Sequence, residues 1–483
     1  MKNAPRLLNY HSETTISNEL FSDFQIDKIL NPQTIAVLQH PCNQSEIARR
    51  NEIFVLLERD EYFIRMENAF SILSNAEKTM VLLRDAKLQL DKYYRITQAF
   101  DTYINSCETL AAMSDFGSLF SDVSHYFSSE QIKRDLDDMK LSSQKIKSLL
   151  CQMSVGLLSF SDVNWLTPDC DAVSELDHIS ECAKKLGFSI SEKKSQNTKL
   201  NISLSDTICR LYADKIEVIK EEISKFASID LNLPSTYISE IKFFLEIRRL
   251  IQKATDIGVS HCIAEIANSP RYIAKEMYDV SLIAQNCENI IPNDTHFSQN
   301  EPFFFLTGAN GGGKTTYART VGINLIFFLA GCPVFAKEAS IYPFDTALSH
   351  FPKDERFDNV GRLDEEYKRS IEMIEQAQNK SAFFFFNETF SGTDDAKGFK
   401  LLTEIVEKIA KDKHFGLYVT HFHNVMSLDY PILSAEVNSA DTSKRTFRIV
   451  KSKGSASSYA ADILKKYCLD KDSLAVRRGE YGS

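Results

Sequence analysis

The chain has 483 residues, is 43% hydrophobic and 25% charged and carries a formal net charge of −10, which suits ordinary globular material in two to four domains and argues against a generic polyanion binder. Ten cysteines are scattered from Cys42 to Cys468 with no C-x-x-C pair, the pattern of reduced structural thiols and not of a zinc site or disulfide framework. The start, MKNAPRLLNYHSETT, has no apolar signal core, and LIFFLAGCPVFA at 325–336 is too short to span a bilayer, so a cytoplasmic location is expected.

In chain order, roughly the first 270 residues read as helix. RNEIFVLLERDEYFIRMENAFSIL places Ile53, Leu56, Leu57, Phe63, Ile64 and Phe70 near helical spacing. DTICRLYADKIEVIKEEISKF puts Ile208, Leu211, Tyr212, Ile216, Ile219, Ile223 and Phe226 on one face. STYISEIKFFLEIRRLIQKATDIG opens after Pro234 and closes near Gly258. Upstream of the last two, FSISEKKSQNTKLNISLSD alternates around a polar centre and fits a hairpin or an exposed loop equally. It carries Lys193, Lys194 and Lys199, which read either as a solvated loop tip or as a nucleic-acid contact.

Near Asn268-Ser269-Pro270 the texture changes to apolar runs of strand length alternating with helical patterns: FFFLTG, SAFFFFNE and GLYVTH each precede a helical or polar stretch. Such alternation predicts an α/β region with a mostly parallel sheet over 271–483, after a mainly α-helical region over 1–270.

Gly308-Ala309-Asn310-Gly311-Gly312-Gly313-Lys314-Thr315 satisfies G-x-x-x-x-G-K-[ST] between an apolar strand and an amphipathic segment. Glycines let backbone N–H groups turn inward and cradle phosphates at a helix N-terminus. Lys314 supplies a point charge for the terminal phosphates, and the Thr315 hydroxyl is a magnesium ligand, with Thr316 next to it in the first turn. The run Phe383–Phe386, buried on both faces by its composition, ends in Asn387-Glu388. Asn387 falls where a magnesium-side acid belongs and Glu388 where a base can polarise water. The plain alternative is that the pair only closes a core strand. His421 follows the run GLYV at the carboxyl edge, where ligands of open α/β sheets collect.

Together these motifs make residues 288–467 resemble the ATPase domain of the MutS family of DNA mismatch-repair and recombination proteins. NIIPND at 289–294, TGANGGGKTTYART, GCPVFAKEASIYPFD at 331–345, VTHFHNV and SSYAADILKKYCL at 457–469 each resemble a family element in order. The resemblance implies an ABC-type P-loop ATPase domain preceded by a helical core and lever region, with a reduced clamp near 184–205 as one option. It implies ATP and Mg2+ as ligands, head-to-head pairing as a homodimer, and DNA as partner. It places Ile290 and Asn293 at the base, Gly308–Thr316 at the phosphates, Thr315 and Asn387 at the metal, and Lys314, Glu388 and His421 at the chemistry. Lys193, Lys194 and Lys199 become the expected DNA contact.

Four departures stand out. No Phe-x-Glu mismatch-reading motif precedes the helical region, so branched or recombination DNA is expected over a mismatch. The family's Gly-Arg-Ser-Thr segment reads Gly361-Arg362-Leu363-Asp364, and leucine cannot donate the serine's hydrogen bond. Little chain follows Leu469, where a C-terminal dimer element is expected. The acid pair is Asn-Glu. A unit charge about 5 Å away is worth about 3 kcal/mol at an effective dielectric of ~20; losing a general base costs ~10²–10⁴-fold. Asn387 thus weakens metal binding while Glu388 keeps its role, which predicts a working but slow ATPase. The alternatives are a nucleotide-switched binding module with little turnover and an ABC-type head serving a protein partner.

Overall fold

The structure, a computed structural model, describes residues 4–8, 14–153, 205–352, 362–391, 395–437 and 445–452. Lys193, Lys194, Lys199 and the closing segment 457–469 lie outside the described residues. Two compact units form: Met1–Leu8 with Arg59–Lys242, and Asn9–Glu58 with Phe243–Ser483.

The first unit is helical, built on Asp60–Asp85, Gln89–Ala111, Ser118–Phe127, Glu130–Cys151 and Ala213–Ser224. Its core holds Met66, Leu73, Phe100, Leu110, Phe116, Phe120, Phe127, Met139, Ile146 and Ile219. The predicted continuous apolar face from Ile53 to Phe70 is broken at Arg59, whose backbone is extended and caps Asp60–Asp85. The break resets the helical phase, so Ile64 is 54% exposed and Met66, Ala69, Leu73 and Ala76 form the buried stripe instead. The same effect at Tyr212 (φ −112°, ψ 39°) leaves Leu211 exposed while Ile216, Ile219 and Phe226 are buried. Glu222, 5% exposed, accepts hydrogen bonds from Lys145 Nζ (2.6 Å), Lys225 Nζ (2.6 Å) and Ser142 Oγ (2.7 Å).

The second unit contains Asn18–Asp23, Pro32–Leu38 and Gln44–Leu57 together with two sheets. Asn31 and Asn43 cap the latter two helices, their side chains accepting from first-turn N–H groups as capping residues do. The strands are β1 (Glu265–Ile266), β2 (Arg271–Met277), β3 (Asn293–Ser298), β4 (Phe303–Thr307), β5 (Glu338–Ile341), β6 (Thr346–His350), β7 (Ala382–Asn387), β8 (Phe415–Val419), β9 (Ile432–Val437) and β10 (Arg445–Lys451). One sheet runs β10-β9-β4-β8-β7-β6, parallel except for the antiparallel edge strand β10. The other runs β1-β5-β2-β3 and is antiparallel except for the β1–β5 pair.

The mostly parallel expectation therefore holds for the first sheet only. The reason is legible in burial: β7 and β8 are buried at every residue, as a sheet covered on both faces requires, whereas β2 and β3 alternate buried with partly exposed positions. In β7, Phe384 and Phe386 join a core with Leu402, Ile405, Val406 and Ile409 of the helix Asp395–Lys411. Phe383 and Phe385 meet Phe344, Phe297 and Phe24.

The helix Lys314–Leu329 is buried at 13 of its 16 residues. Its polar groups are matched from several sides. Tyr317 Oη lies 2.6 Å from Thr295 Oγ1, the Tyr272 hydroxyl donates to Val321 O at 3.1 Å, and Asn324 accepts from Phe335 N at 2.7 Å. At its end, Cys42 N donates to Leu329 O (2.7 Å) and Arg50 Nη1 to Ala330 O (2.9 Å). Gly322 admits the ring of Phe24, which would lie 2.2 Å from a Cβ there. Since Phe24 is wedged edge-on against Phe351 and Phe385, it has no room to retreat.

Gly322→Ala should therefore destabilise the chain by about 1–3 kcal/mol, read from urea unfolding; parent-like stability would show that the ring yields freely. Glu222→Gln should cost about 1–2 kcal/mol, because the carboxylate's pKa is pulled to about 2 by the hydrogen bonds from Lys145, Lys225 and Ser142, with a discount for two half-exposed lysines. A depressed pKa contributes stability present above the ordinary value of 4.5 and lost as pH falls toward 2. The gap between parent and variant should accordingly close between those limits, and a pH-independent gap would refute the assignment.

Candidate functional site

The site forms where β4, β8 and β7 leave the parallel sheet. Leu306 pairs with Val419 and Asn387 pairs with the same Val419, so the three chains turn out of the sheet at one level. Two backbone bonds close the row beyond the strands: Thr420 N to Leu306 O (3.0 Å) and Glu388 N to Val419 O (2.8 Å).

After β4 comes the glycine loop 308–313. Gly313 caps the helix Lys314–Leu329 in the left-handed region (φ 90°), which a side chain would strain. Gly312 is required by proximity: a Cβ there would stand 2.9 Å from Ala309 O and 2.9 Å from Ala435 Cβ of β9. The loop thus rests on its neighbouring strand, with Gly308 against the same alanine and Gly311 exposed at the tip. Lys314 is 4% exposed and folds back over the loop, donating to Gly308 O (2.8 Å), Ala309 O (3.2 Å) and Asn310 Oδ1 (3.4 Å). Burial lowers the pKa of its ammonium; the charge of Glu388 opposes this and that of Arg445 adds to it.

Thr315, in the first turn, donates to Asn387 Oδ1 at 3.3 Å. Thr316 lies beside it, its carbonyl accepting from Thr320 Oγ1. A neutral oxygen in the first turn of a helix and another at the end of β7 are hard donors of the kind Mg2+ takes together with waters and phosphate oxygens. Thr315 and Asn387 fit that arrangement. Among the described residues no group of three or more His, Cys, Asp and Glu could hold a metal ion.

Glu388 Oε1 lies 2.7 Å from His421 Nε2, and the two side chains are 33% and 38% exposed. The hydrogen bond from His421 holds the Glu388 carboxyl below its ordinary pKa, against partial burial and with help from the charges of His421 and Lys314. Glu388 is therefore ionised at neutral pH, between an imidazole and the loop lysine.

Of the remaining predicted positions, Asn293 reaches the loop through the strand β10. Ile290 is half-buried ahead of β3. Asn293 opens β3, and its side chain holds β10, donating to Phe447 O (3.1 Å) and accepting from Ile449 N (2.7 Å). Two residues absent from the motif reading appear beside them. Phe447 sits in a bulge of β10 with φ 56°, is 49% exposed, and would lie 3.5 Å from a Cβ on Gly313. Arg445 starts the same strand near enough for its charge to act on Lys314. No motif in RTFRIVK marks either one; the pairing of β10 with β9 and its bonds to Asn293 bring them to the loop.

Downstream, Leu363 packs with Tyr367 and Ile371 against the core of the parallel sheet, and Asp364 and Glu365 occupy the first turn of the helix Arg362–Gln376.

A glycine loop seated between a buried parallel strand and the N-terminus of a buried helix defines a P-loop α/β protein. Residues 304–469 match the family model MutS domain V. Relatives point the same way. A DNA mismatch repair protein MutS from Bacillus licheniformis is 25% identical over 241 residues, covering 45% of this chain and 26% of that protein. A DNA mismatch repair protein Msh2 from Dictyostelium discoideum is 26% identical over 293 residues, 58% of this chain and 28% of that one. Another, msh-2 from Neurospora crassa, is 28% identical over 182 residues, 36% and 19%. The chain matches about a quarter of the length of these relatives, and its likeness to the MutS family is carried by residues 304–469. No described helix is long and apolar enough to cross a membrane.

Replacing Lys314 with Met should lower affinity for ATP about ten- to a hundred-fold, the worth of one charge-assisted hydrogen bond. Equilibrium binding of a fluorescent ATP analogue would read this, and unchanged affinity would remove Lys314 from the phosphate site.

Proposed function

We propose that the chain binds ATP with magnesium, hydrolyses it to ADP and phosphate, and couples the nucleotide state to DNA binding in repair or recombination. The observation that carries the reading is the contact of Glu388 with His421 on the same rim as Lys314 and the Thr315–Asn387 pair. The names of the relatives support DNA mismatch repair as the setting.

In this mechanism the triphosphate lies along the N–H groups of Gly308–Gly313, and Lys314 exchanges its loop carbonyls for phosphate oxygens. That exchange suits a lysine whose ammonium is already desolvated and fully hydrogen-bonded, since the ligand replaces like with like. Bound magnesium would neutralise charge on the terminal phosphates, with Thr315 as a direct ligand and Asn387 holding metal-bound water. Glu388, ionised, accepts a proton from the attacking water or orients it. His421 fixes the Glu388 rotamer and stands near the γ-phosphate. The half-exposed Phe447 offers a face to the nucleobase, held there by Asn293, with Ile290 flanking.

Residues 271–483 would form the ATPase domain, pairing with a second copy, and residues 1–270 a core and lever region that passes the nucleotide state to DNA. Lys193, Lys194 and Lys199 remain the proposed DNA contact.

The chain should release phosphate from ATP only with magnesium, and Glu388→Gln should lower kcat ~10²–10⁴-fold with little change in ATP affinity. Absence of turnover in the parent, with ATP-driven dimerisation surviving Glu388→Gln, would favour the nucleotide-switched module that Asn387 also suits. Rates measured alone, with duplex and with four-way junction at two salt concentrations should respond to DNA, and the response should weaken with salt. A rate indifferent to all DNA would point to a protein partner.

A further inference from the structure

The turn that presents Glu388 is held in an unfavourable shape from outside. Glu388 has φ 53° and Phe390 φ 67°, two non-glycine residues of three in the left-handed region. Such a turn persists only where its surroundings over-determine it. Three hydrogen bonds supply that constraint. The buried Tyr418 hydroxyl of β8 donates to Thr389 O at 3.0 Å. Thr389 Oγ1 donates to His350 O at the end of β6, at 3.3 Å. Phe390 N donates to Glu366 Oε2 at 2.8 Å.

The first two bonds come from strands of the same sheet and cannot shift relative to β7. The third comes from a different element, the helix Arg362–Gln376, and is the shortest and the only one with a carboxylate acceptor. That helix is itself braced. Arg369 Nη2 lies 3.1 Å from Glu19 Oε2 and donates to Ser349 O at 3.3 Å, while Ser370 Oγ is 3.1 Å from His350 Nδ1. Below, Leu363, Tyr367 and Ile371 pack on the sheet core. The placement of the helix is thereby passed to the Phe390 amide, two residues from Glu388.

We propose that Glu366 is a positioning residue for hydrolysis: its carboxylate pins the Phe390 N–H and so sets the direction in which Glu388 points. This rests on the ATPase reading of the site. Glu366 thus acts through the backbone of the turn, by its bond to the Phe390 N–H. Removing it frees the strained turn to relax, which tilts Glu388 away from its working line and leaves the phosphate loop undisturbed.

The test uses the full chain with magnesium and ATP and reads kcat, KM and the dissociation constant of a fluorescent ATP analogue. Glu366→Ala, which has no acceptor, should lower kcat about ten- to a hundred-fold, the range that misplacement by about an ångström produces, with KM and analogue affinity within two-fold. Glu366→Gln keeps a carbonyl acceptor of the same reach and should recover kcat to within about three-fold of the parent. Combined with Glu388→Gln, Glu366→Ala should add no further loss. If Glu366→Ala does not fold, Glu366→Asp, which keeps the charge but shortens the reach, carries the same expectation. Parent-like kcat in Glu366→Ala or Glu366→Asp, or a loss of kcat matched by loss of analogue affinity, overturns the assignment. No turnover in the parent overturns the ATPase reading and this assignment with it.

Discussion

Gly416 of β8 lies between Phe303 of β4 and Phe384 of β7 in the parallel sheet, and a Cβ on it would stand 2.5 Å from the Phe303 ring. That close approach does more than fill space. Phe383–Phe386 offers the same side chain at four successive positions, so a slip of β7 by one residue would bury phenylalanine on either face all the same. Apolar pattern, which normally specifies register, is silent here. The gap at Gly416, together with the bonds from Gly416 N to Pro302 O (2.9 Å) and from Thr420 N to Leu306 O (3.0 Å), fixes β4 against β8. The loop after Thr307 and His421 leave the sheet together because β4 and β8 are aligned, and the bond from Glu388 N to Val419 O (2.8 Å) ties β7 to the same level.

The helix behind the loop is fixed in a second way. Lys314–Leu329 has little exposed surface, and its hydroxyl, amide and carbonyl groups are matched by Thr295, Tyr272, Phe335, Cys42 and Arg50. The glycine loop is thus seated on a helix anchored from several sides. The turn after β7 has the opposite character, a strained backbone held by partners on three elements. An anchored glycine loop beside a strained carboxylate turn is the arrangement that the proposed separation of binding from hydrolysis requires.

Two departures from the family pattern have local physical roles. Asn387 accepts from Thr315, joining the first turn of the helix to the end of β7 without adding a charge near Glu388. Leu363, where a hydrogen-bonding serine would otherwise stand, joins Tyr367 and Ile371 on the apolar face that seats its helix on the sheet.

Much of this was determined by sequence alone. The glycine loop, the doubly buried Phe383–Phe386 strand and the strand-end placement of Glu388 and His421 follow from local composition and spacing, because glycine, lysine and uninterrupted apolar runs act over a few residues. Helix existence was legible too, but which face is buried was not, since a single extended residue at Arg59 or a kink at Tyr212 rotates every later side chain. Tertiary structure alone decided the antiparallel second sheet, the arrival of Arg445 and Phe447 at the phosphate loop, and the reach of Glu366 to the Phe390 amide. Each of these depends on pairing between segments distant in the chain, where energy comes from contacts that no local pattern encodes.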